Sequence, residues 1–345
     1  MMRLDPTFQS QLMQERDRLI SLLHCFRQAK VMVVGDLTLD EFLTGRVERL
    51  SREAPVAILR HEETRRIPGG GANAIYNCAS LGAQVLAVGL VGDDEQGRAL
   101  RSIFEAVQIN TQGILVEEER PTVTKTRISG HARQSVTQQI VRLDRKSDEP
   151  PSQHHQQALA HYIAEQIDRV DAVVGSDYGD GVLSDPVIRA IAAAPRLVID
   201  AQVDLDRFRG ATLFTPNLPE AELAVGYAIA NAADLQRAGQ DLLQKTGAKA
   251  VLITRGEEGM SLFEADGEQH HIPAFNRTDV FDVTGAGDTV VAALTLALVS
   301  GANFWEAAVL GNLAASLVVR VFGTATTTVE AMEAALLQLT EPGVG

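Results

Sequence analysis

Short apolar runs that end in glycine or a polar residue recur along the chain. Val31-Met32-Val33-Val34-Gly35, Ala172-Val173-Val174-Gly175, Leu197-Val198-Ile199-Asp200, Leu213-Phe214-Thr215 and Ala250-Val251-Leu252-Ile253-Thr254 are of this kind, as is Val85–Val91. Runs this short, without polar alternation, predict strands buried on both faces, as in parallel sheets. Helical spacing lies between them, for example from about Gln96 to Ala106. The alternation predicts an α/β fold: a doubly wound, mostly parallel sheet flanked by helices. Polar clusters stand where the predicted strands end: Asp36 and Asp40, Asp177-Tyr178-Gly179, Asp200, Asn217 with Glu220, and Thr254-Arg255-Gly256 with Gly259. Ligands bind at that edge of open α/β sheets.

Two stretches, at about 38–66 and 114–145, follow another pattern. Apolar residues there alternate with charges, as in Phe42, Leu43, Val47, Val56, Ile58 and Leu59, in Ile114-Leu115-Val116, or in Val123-Thr124-Lys125-Thr126-Arg127-Ile128. Short antiparallel strands are predicted in both, forming a small β-sheet lid that keeps water from a cleft. Its exposed edges make a homodimer through the lid the expected assembly. Residues 1–30 predict a helical extension. Asp5 caps it, Pro6 takes the first helical position, and the helix runs to about Arg27.

Two glycine-rich segments carry the chemistry. Asp282-Val283-Thr284-Gly285-Ala286-Gly287-Asp288 precedes an apolar run to Val299, which Ser300-Gly301 closes. This reads as a buried helix whose first turn aims unpaired N–H groups and the positive dipole end at one point, suited to a phosphate or oxyanion. Asp288, in that turn, is stable as an anion and placed to accept a proton from a hydroxyl. Pro68-Gly69-Gly70-Gly71-Ala72-Asn73 opens a second helix. Its glycines allow close backbone approach to a ligand, and Asn73 offers a donor and an acceptor to sugar hydroxyls. Asp36 and Asp40, just past the first strand, read as sugar ligands too.

The 345 residues include 45% hydrophobic and 22% charged positions, enough for a large core. A net charge of −14 argues against nucleic acid or an anionic membrane as partner, while leaving room for a local basic pocket. Two cysteines, Cys25 and Cys78, suggest no disulfide framework, so a cytoplasmic location is expected. No signal peptide is visible, and the apolar stretch at 290–299 is too short to span a bilayer. The eight histidines show no metal-ligand spacing.

Residues 31–335, with their glycine-rich 68–73 segment, Asn217-Leu218-Pro219-Glu220 and the late DVTGAGD string, resemble the ribokinase-like, or PfkB, family of carbohydrate kinases. The resemblance implies a kinase domain over about 31–340 that uses ATP and Mg²⁺. It makes Asp288 the general base and the N–H groups of Gly285, Ala286 and Gly287 the anion hole. Asn217 and Glu220 would organise Mg²⁺, through water, and the nucleotide phosphates. Thr254, Arg255, Gly256, Gly259 and Asn312 would line the nucleotide site. Asp36, Asp40, Gly70, Gly71 and Asn73, with Lys125 and Arg142 of the lid, would hold the sugar. Asp282, Thr284, Gly323 and Thr327 match positions where some members hold a monovalent cation such as K⁺.

Within the family, Glu53-Ala54-Pro55-Val56, Val141-Arg142-Leu143-Asp144, Ser176-Asp177-Tyr178-Gly179 and Arg209–Leu213 look most like the kinase domain of bacterial bifunctional heptose enzymes. Those phosphorylate D-glycero-β-D-manno-heptose 7-phosphate at O1. Their nucleotidyltransferase half is expected to be absent, because the sequence ends soon after the kinase pattern. Asp180 and Gln202 stand where those kinases usually have lysine. Each lost charge-assisted hydrogen bond would cost about 1.5–3 kcal/mol, enough to change substrate preference. Lys125, Arg127, Arg142 and Arg145 could compensate. The alternatives are a kinase for another sugar or a nucleoside, or a catalytically silent sugar-binding regulator. A dinucleotide enzyme is disfavoured, since no GxGxxG follows the first strand.

Overall fold

Asp5 accepts hydrogen bonds from the N–H groups of Thr7 and Phe8, and Pro6 sits in the first turn, so helix α1 (Pro6–Cys25) starts where its cap dictates. The computed structural model describes residues 5–132, 136–276, 283–320 and 325–341; Asp282 and Gly323 lie outside them. After α1 come β1 (Lys30–Gly35), β2 (Leu37–Leu50), β3 (Ala57–Gly70), α2 (Gly71–Ser80), β4 (Gln84–Val91), α3 (Glu95–Ala106) and β5 (Asn110–Val116). β6 (Val123–His131), β7 (Gln138–Arg145), α4 (Gln153–Gln166), β8 (Ala172–Asp177), α5 (Asp185–Ile191), β9 (Leu197–Ala201) and β10 (Leu213–Phe214) follow. The chain continues with α6 (Leu218–Val225), α7 (Ala232–Thr246), β11 (Ala250–Thr254), β12 (Met260–Glu264) and β13 (Gln269–Ile272), then α8 (Ala286–Val299), α9 (Phe304–Val318) and α10 (Val329–Thr340).

Nine of the described strands form one sheet in the order β13-β12-β11-β10-β9-β8-β1-β4-β5. All its pairs are parallel except β11–β12 and β12–β13. Alternate residues of β1 feed two separate cores. Val31 and Val33 pack with residues of α1, α2, α8, α9 and α10, whereas Met32 and Val34 pack with those of α4, α5 and α7. Both faces of the sheet are therefore covered, which is why its strands are apolar throughout. α1 belongs to the first layer: Phe8, Leu12, Leu19, Leu22 and Leu23 are buried.

A second sheet, β3-β2-β6-β7, stands apart as the lid. Two features differ from the sequence reading. The first lid segment is a pair of 14-residue antiparallel strands rather than several short ones, and β2 pairs with β6 in parallel. Ile114-Leu115-Val116, grouped with the lid, ends β5 at the edge of the main sheet, where Ile114 is buried. An edge strand half covered by helices has the same mixed pattern as a lid strand, so periodicity does not separate them.

Candidate active site

α8 is buried nearly all round, from Thr289 to Leu298, and packs against α9 and α2. That leaves little freedom to its first turn. Gly285 caps the helix in the left-handed region at φ 77°, a conformation that glycine adopts without strain. The Ala286 N–H turns back to the Val283 carbonyl at 3.2 Å, a departure from its expected place in the anion hole. The N–H groups of Gly287 and Asp288, at a helix start with no preceding turn to bond, are the ones left to meet a ligand. A Cβ added at Gly287 would have nothing within 4 Å, so the space above this turn is open.

Asp288 is buried and held at both oxygens. Asn73 Nδ2 donates to Oδ2 at 2.8 Å, and the Tyr178 hydroxyl donates to Oδ1 at 2.9 Å. Burial pushes its pKa from 3.8 up to about 6, against the opposing effect of those two donors and Lys125; Asp40 adds to the rise. A carboxylate in this range is a competent base near neutrality.

Asn73, expected beside the sugar, also bonds within the protein. Its amide also points to the Gly285 carbonyl at 3.3 Å, and its Oδ1 accepts from Asn77 Nδ2 at 3.0 Å. Its donors thus support the base and the helix cap. Asp36 does the same. Its oxygens accept from the N–H groups of Tyr178 (2.8 Å), Asp180 (3.0 Å) and Val182 (3.0 Å), so it staples the loop after β8. Burial and the nearby Asp177 push its pKa up to about 6. The glycines make room for the protein itself: a Cβ on Gly69 would strike the Asp40 carboxylate, and the Gly71 N–H donates to the Asp36 carbonyl at 2.9 Å. Gly70, at φ 53°, lies beside Thr38.

Asp40 is buried and ion-paired with Arg127. By register it stands opposite Lys125, whose ammonium lies 5.7 Å from the centre of the Tyr178 ring. Phe42 stands opposite Arg127, and Arg127 opposite Arg142, which pairs with Asp144 at 2.8 Å. Arg65 and Arg127 both approach the Phe42 ring, at 5.6 and 5.2 Å. The lid face that bears Asp40 thus carries four cations. Sequence reading missed Tyr178 as a partner of Asp288. It also missed Thr38, whose buried hydroxyl has no hydrogen bond among the described residues. The two positions that depart from the usual lysine sit close by. Asp180 pairs with Lys146 at 3.7 Å, and the Gln202 N–H donates to the Asp177 carbonyl at 3.3 Å.

On the other side of the α8 turn lies a cavity of about 650 Å³. Asn217, Thr254, Arg255, Gly256, Gly259 and Asn312 line it, together with Phe275, Val290 and Val319, and it reaches Ala286 and Gly287. Asn312 is fixed by its bond to the Pro273 carbonyl at 2.8 Å. Gly259, at φ 85°, allows Ile272 to pass so close that any Cβ would collide with it. Asn217 and Glu220 form a reciprocal capping box at the start of α6, each accepting from the other's N–H. That accounts for one oxygen of each side chain, and Glu220 Oε1 has no hydrogen bond among the described residues. Burial raises the pKa of Glu220, and burial with Asp288 and Glu220 nearby raises that of Asp200 well above its usual value. The carboxylates of Asp200, Glu220 and Asp288 thus act on one another where the cavity meets the base. The arrangement suits transfer of an anionic group from a ligand in the cavity to a hydroxyl beside Asp288.

A profile of the pfkB family carbohydrate kinases matches residues 28–332. The chain is 43% identical over 320 residues to the bifunctional protein HldE of Geobacter metallireducens, a match covering 90% of this chain and 64% of that relative. The chain spans less than two thirds of the length of the curated relatives it matches first. Among solved structures, Arabidopsis thaliana ribokinase complexed with ribose and ATP superposes with a TM-score of 0.68 at 19% identity, covering 91% of this chain and 99% of that one. Escherichia coli phosphofructokinase-2 in complex with potassium gives 0.71 at 19% identity, with coverage of 91% and 99%.

Proposed function

The chain belongs to the pfkB family of carbohydrate kinases, and from that premise we propose that it transfers the γ-phosphoryl group of ATP to a sugar phosphate, with D-glycero-β-D-manno-heptose 7-phosphate, at O1, as the acceptor. The observation that carries this reading is Asp288, held by Asn73 and Tyr178 at the start of α8, between the 650 Å³ cavity and the lid residue Asp40. The acceptor hydroxyl gives its proton to Asp288 as its oxygen bonds to the γ-phosphorus, and ADP leaves on the cavity side. The N–H groups of Gly287 and Asp288 and the α8 dipole stabilise the charge on the transferring group. Asn217 and Glu220 would hold Mg²⁺ with the nucleotide, through Glu220 Oε1 and water. Bound there, the ion neutralises phosphate charge. Potassium beside the anion hole belongs to the same proposal, resting on Asp282, Thr284, Gly323 and Thr327 and on the potassium complex of the phosphofructokinase.

The choice of a phosphorylated acceptor rests on the four lid cations that share a face with Asp40, and on the likeness to the heptose kinases. A panel of sugars, sugar phosphates and nucleosides with ATP and Mg²⁺, run in potassium and in sodium, tests it. ADP release with heptose 7-phosphate is the expected result. Turnover of only unphosphorylated sugars or nucleosides would remove the heptose reading, and binding without ADP release would point to a silent regulator. Gly287→Ala tests the anion hole. Alanine replaces glycine in a helix with a gain of up to about 1 kcal/mol, and its methyl enters open space. The variant should therefore melt no lower than the parent yet show a raised KM for ATP. An unchanged KM would mean that the phosphates lie elsewhere.

Strand β7 is exposed along its whole length, including Ile140, Val141 and Leu143. This supports the homodimer through the lid, which sedimentation of the chain would check. No helix among the described residues is long and apolar enough to cross a membrane. A cytoplasmic location is proposed from the two unpaired cysteines, of which Cys78 is buried with its thiol pushed up to about 12.

A further inference from the structure

Each oxygen of Asp288 accepts one hydrogen bond from the protein, from Asn73 on Oδ2 and from Tyr178 on Oδ1. A carboxylate oxygen can accept about two, so each keeps a direction free for a substrate proton. Anchoring at both oxygens stops the group from rotating about its terminal bond. Tyr178 is itself held. Its backbone N–H donates to Asp36 at 2.8 Å, the N–H groups of Asp180 and Val182 bind the same carboxylate, and Lys125 of the lid lies over its ring. Resting on the phosphotransfer reading above, we propose that Tyr178 is a positioning residue for the base, fixing through its hydroxyl the direction in which Asp288 meets the acceptor.

The phenol has to stay protonated to do this. Burial and the carboxylates of Asp288, Asp200 and Glu220 raise its pKa well above the usual tyrosine value, so it remains a donor at any working pH. The groups that face Asp288 are Asn73 from α2, Asp40 from β2, Lys125 from β6, Tyr178 from the loop after β8 and Asp200 from the end of β9. Among these, the Tyr178 hydroxyl favours the ionised carboxylate, while burial and Asp40 oppose it. Removing the hydroxyl leaves the opposing effects in place. The pKa of Asp288 then rises, and the carboxylate gains freedom to turn.

Tyr178→Phe keeps the ring and the backbone tie to Asp36. In sugar-dependent ADP release at saturating ATP, its kcat should fall about tenfold, with the acceptor KM within about twofold of the parent. The acid limb of its kcat–pH profile should move upward by about half to one pH unit. A limb that stays in place overturns the proposal, as does a change confined to KM. A second measurement does not depend on turnover. In protein carrying ¹³C-labelled aspartate carboxyls, the Asp288 resonance is assigned by its loss in Asp288→Asn, and its titration is compared between parent and Tyr178→Phe. An upward move supports the assignment, and an unmoved inflection overturns it. A parent without sugar-dependent ADP release would count against the phosphotransfer reading, and the carboxyl titration would then judge the tyrosine by itself.

Discussion

Asp288→Asn is expected to lower kcat by a factor of about 10²–10⁴ and, at pH 8, to raise thermal stability. The loss follows from removing the group that accepts the acceptor's proton. The gain follows from the cost of keeping a buried carboxylate ionised. Asp288 titrates at about 6 in the fold against an ordinary 3.8. Between those values the folded chain holds a proton that the unfolded chain has released. The stability this contributes is full below 3.8 and is lost as pH rises through 6. Two pH units at about 1.4 kcal/mol each make the ionised form costly by about 3 kcal/mol above pH 6.

Asparagine is close to isosteric and suits the same neighbours. Its oxygen can accept from Asn73, and its amide can donate to the Tyr178 hydroxyl, which turns to accept. The variant should therefore melt higher than the parent at pH 8 and nearly with it at pH 4.5. Melting curves at the two pH values, together with kcat, check both halves. Near-normal kcat would remove the base, and a pH-independent difference in Tm would remove the electrostatic account of its cost.

The place of Asp288 at a helix start was legible in the sequence because it is local; its cost was not, since the turn reads as one that favours the anion and burial reverses this. Asp288 sits in a glycine-rich turn before an unbroken apolar run, and both features lie within a dozen residues. The cap at Asp5 and the stop at Gly301 were legible for the same reason. The Asn217–Glu220 pair shows the limit of such motifs, since a four-residue spacing suited to phosphate binding is also a capping box, and here it forms one. The partners of Asp288 were not legible. Tyr178 is 110 positions away, and only the packing of α8 against β8 and β9 brings the two together. Asn73 and Asp36 were read by type, as polar groups near glycines at a strand end. Their actual partners are backbone and side-chain groups that no spacing rule announces. The long lid strands escaped because β2 starts with five buried residues in a row and β3 has six exposed ones in a row, so no period-2 burial marks them.

Asp36→Ala is expected to cost at least about 3 kcal/mol of stability and to reduce kcat with it. Three backbone N–H groups, those of Tyr178, Asp180 and Val182, lose their acceptor at once, and each buried donor left without one costs about 1–3 kcal/mol. The loop can relax toward water, which holds the sum toward the lower end of that range. Relaxation moves Tyr178 away from Asp288, so the damage reaches the base through the loop that Asp36 holds. Asp36→Asn is the informative contrast. Its single carbonyl oxygen can keep the Tyr178 and Asp180 bonds, while its amide faces the Val182 N–H and loses that one. It also carries no charge, whereas burial and Asp177 hold the Asp36 carboxyl at about 6, so ionisation at neutral pH works against the fold. The expected order of stability in urea is parent, then Asn, then Ala, with kcat following the same order. An alanine variant within 1 kcal/mol of the parent would show that the loop after β8 holds its shape without the staple. Tyr178 would then reach the base by packing of the loop itself.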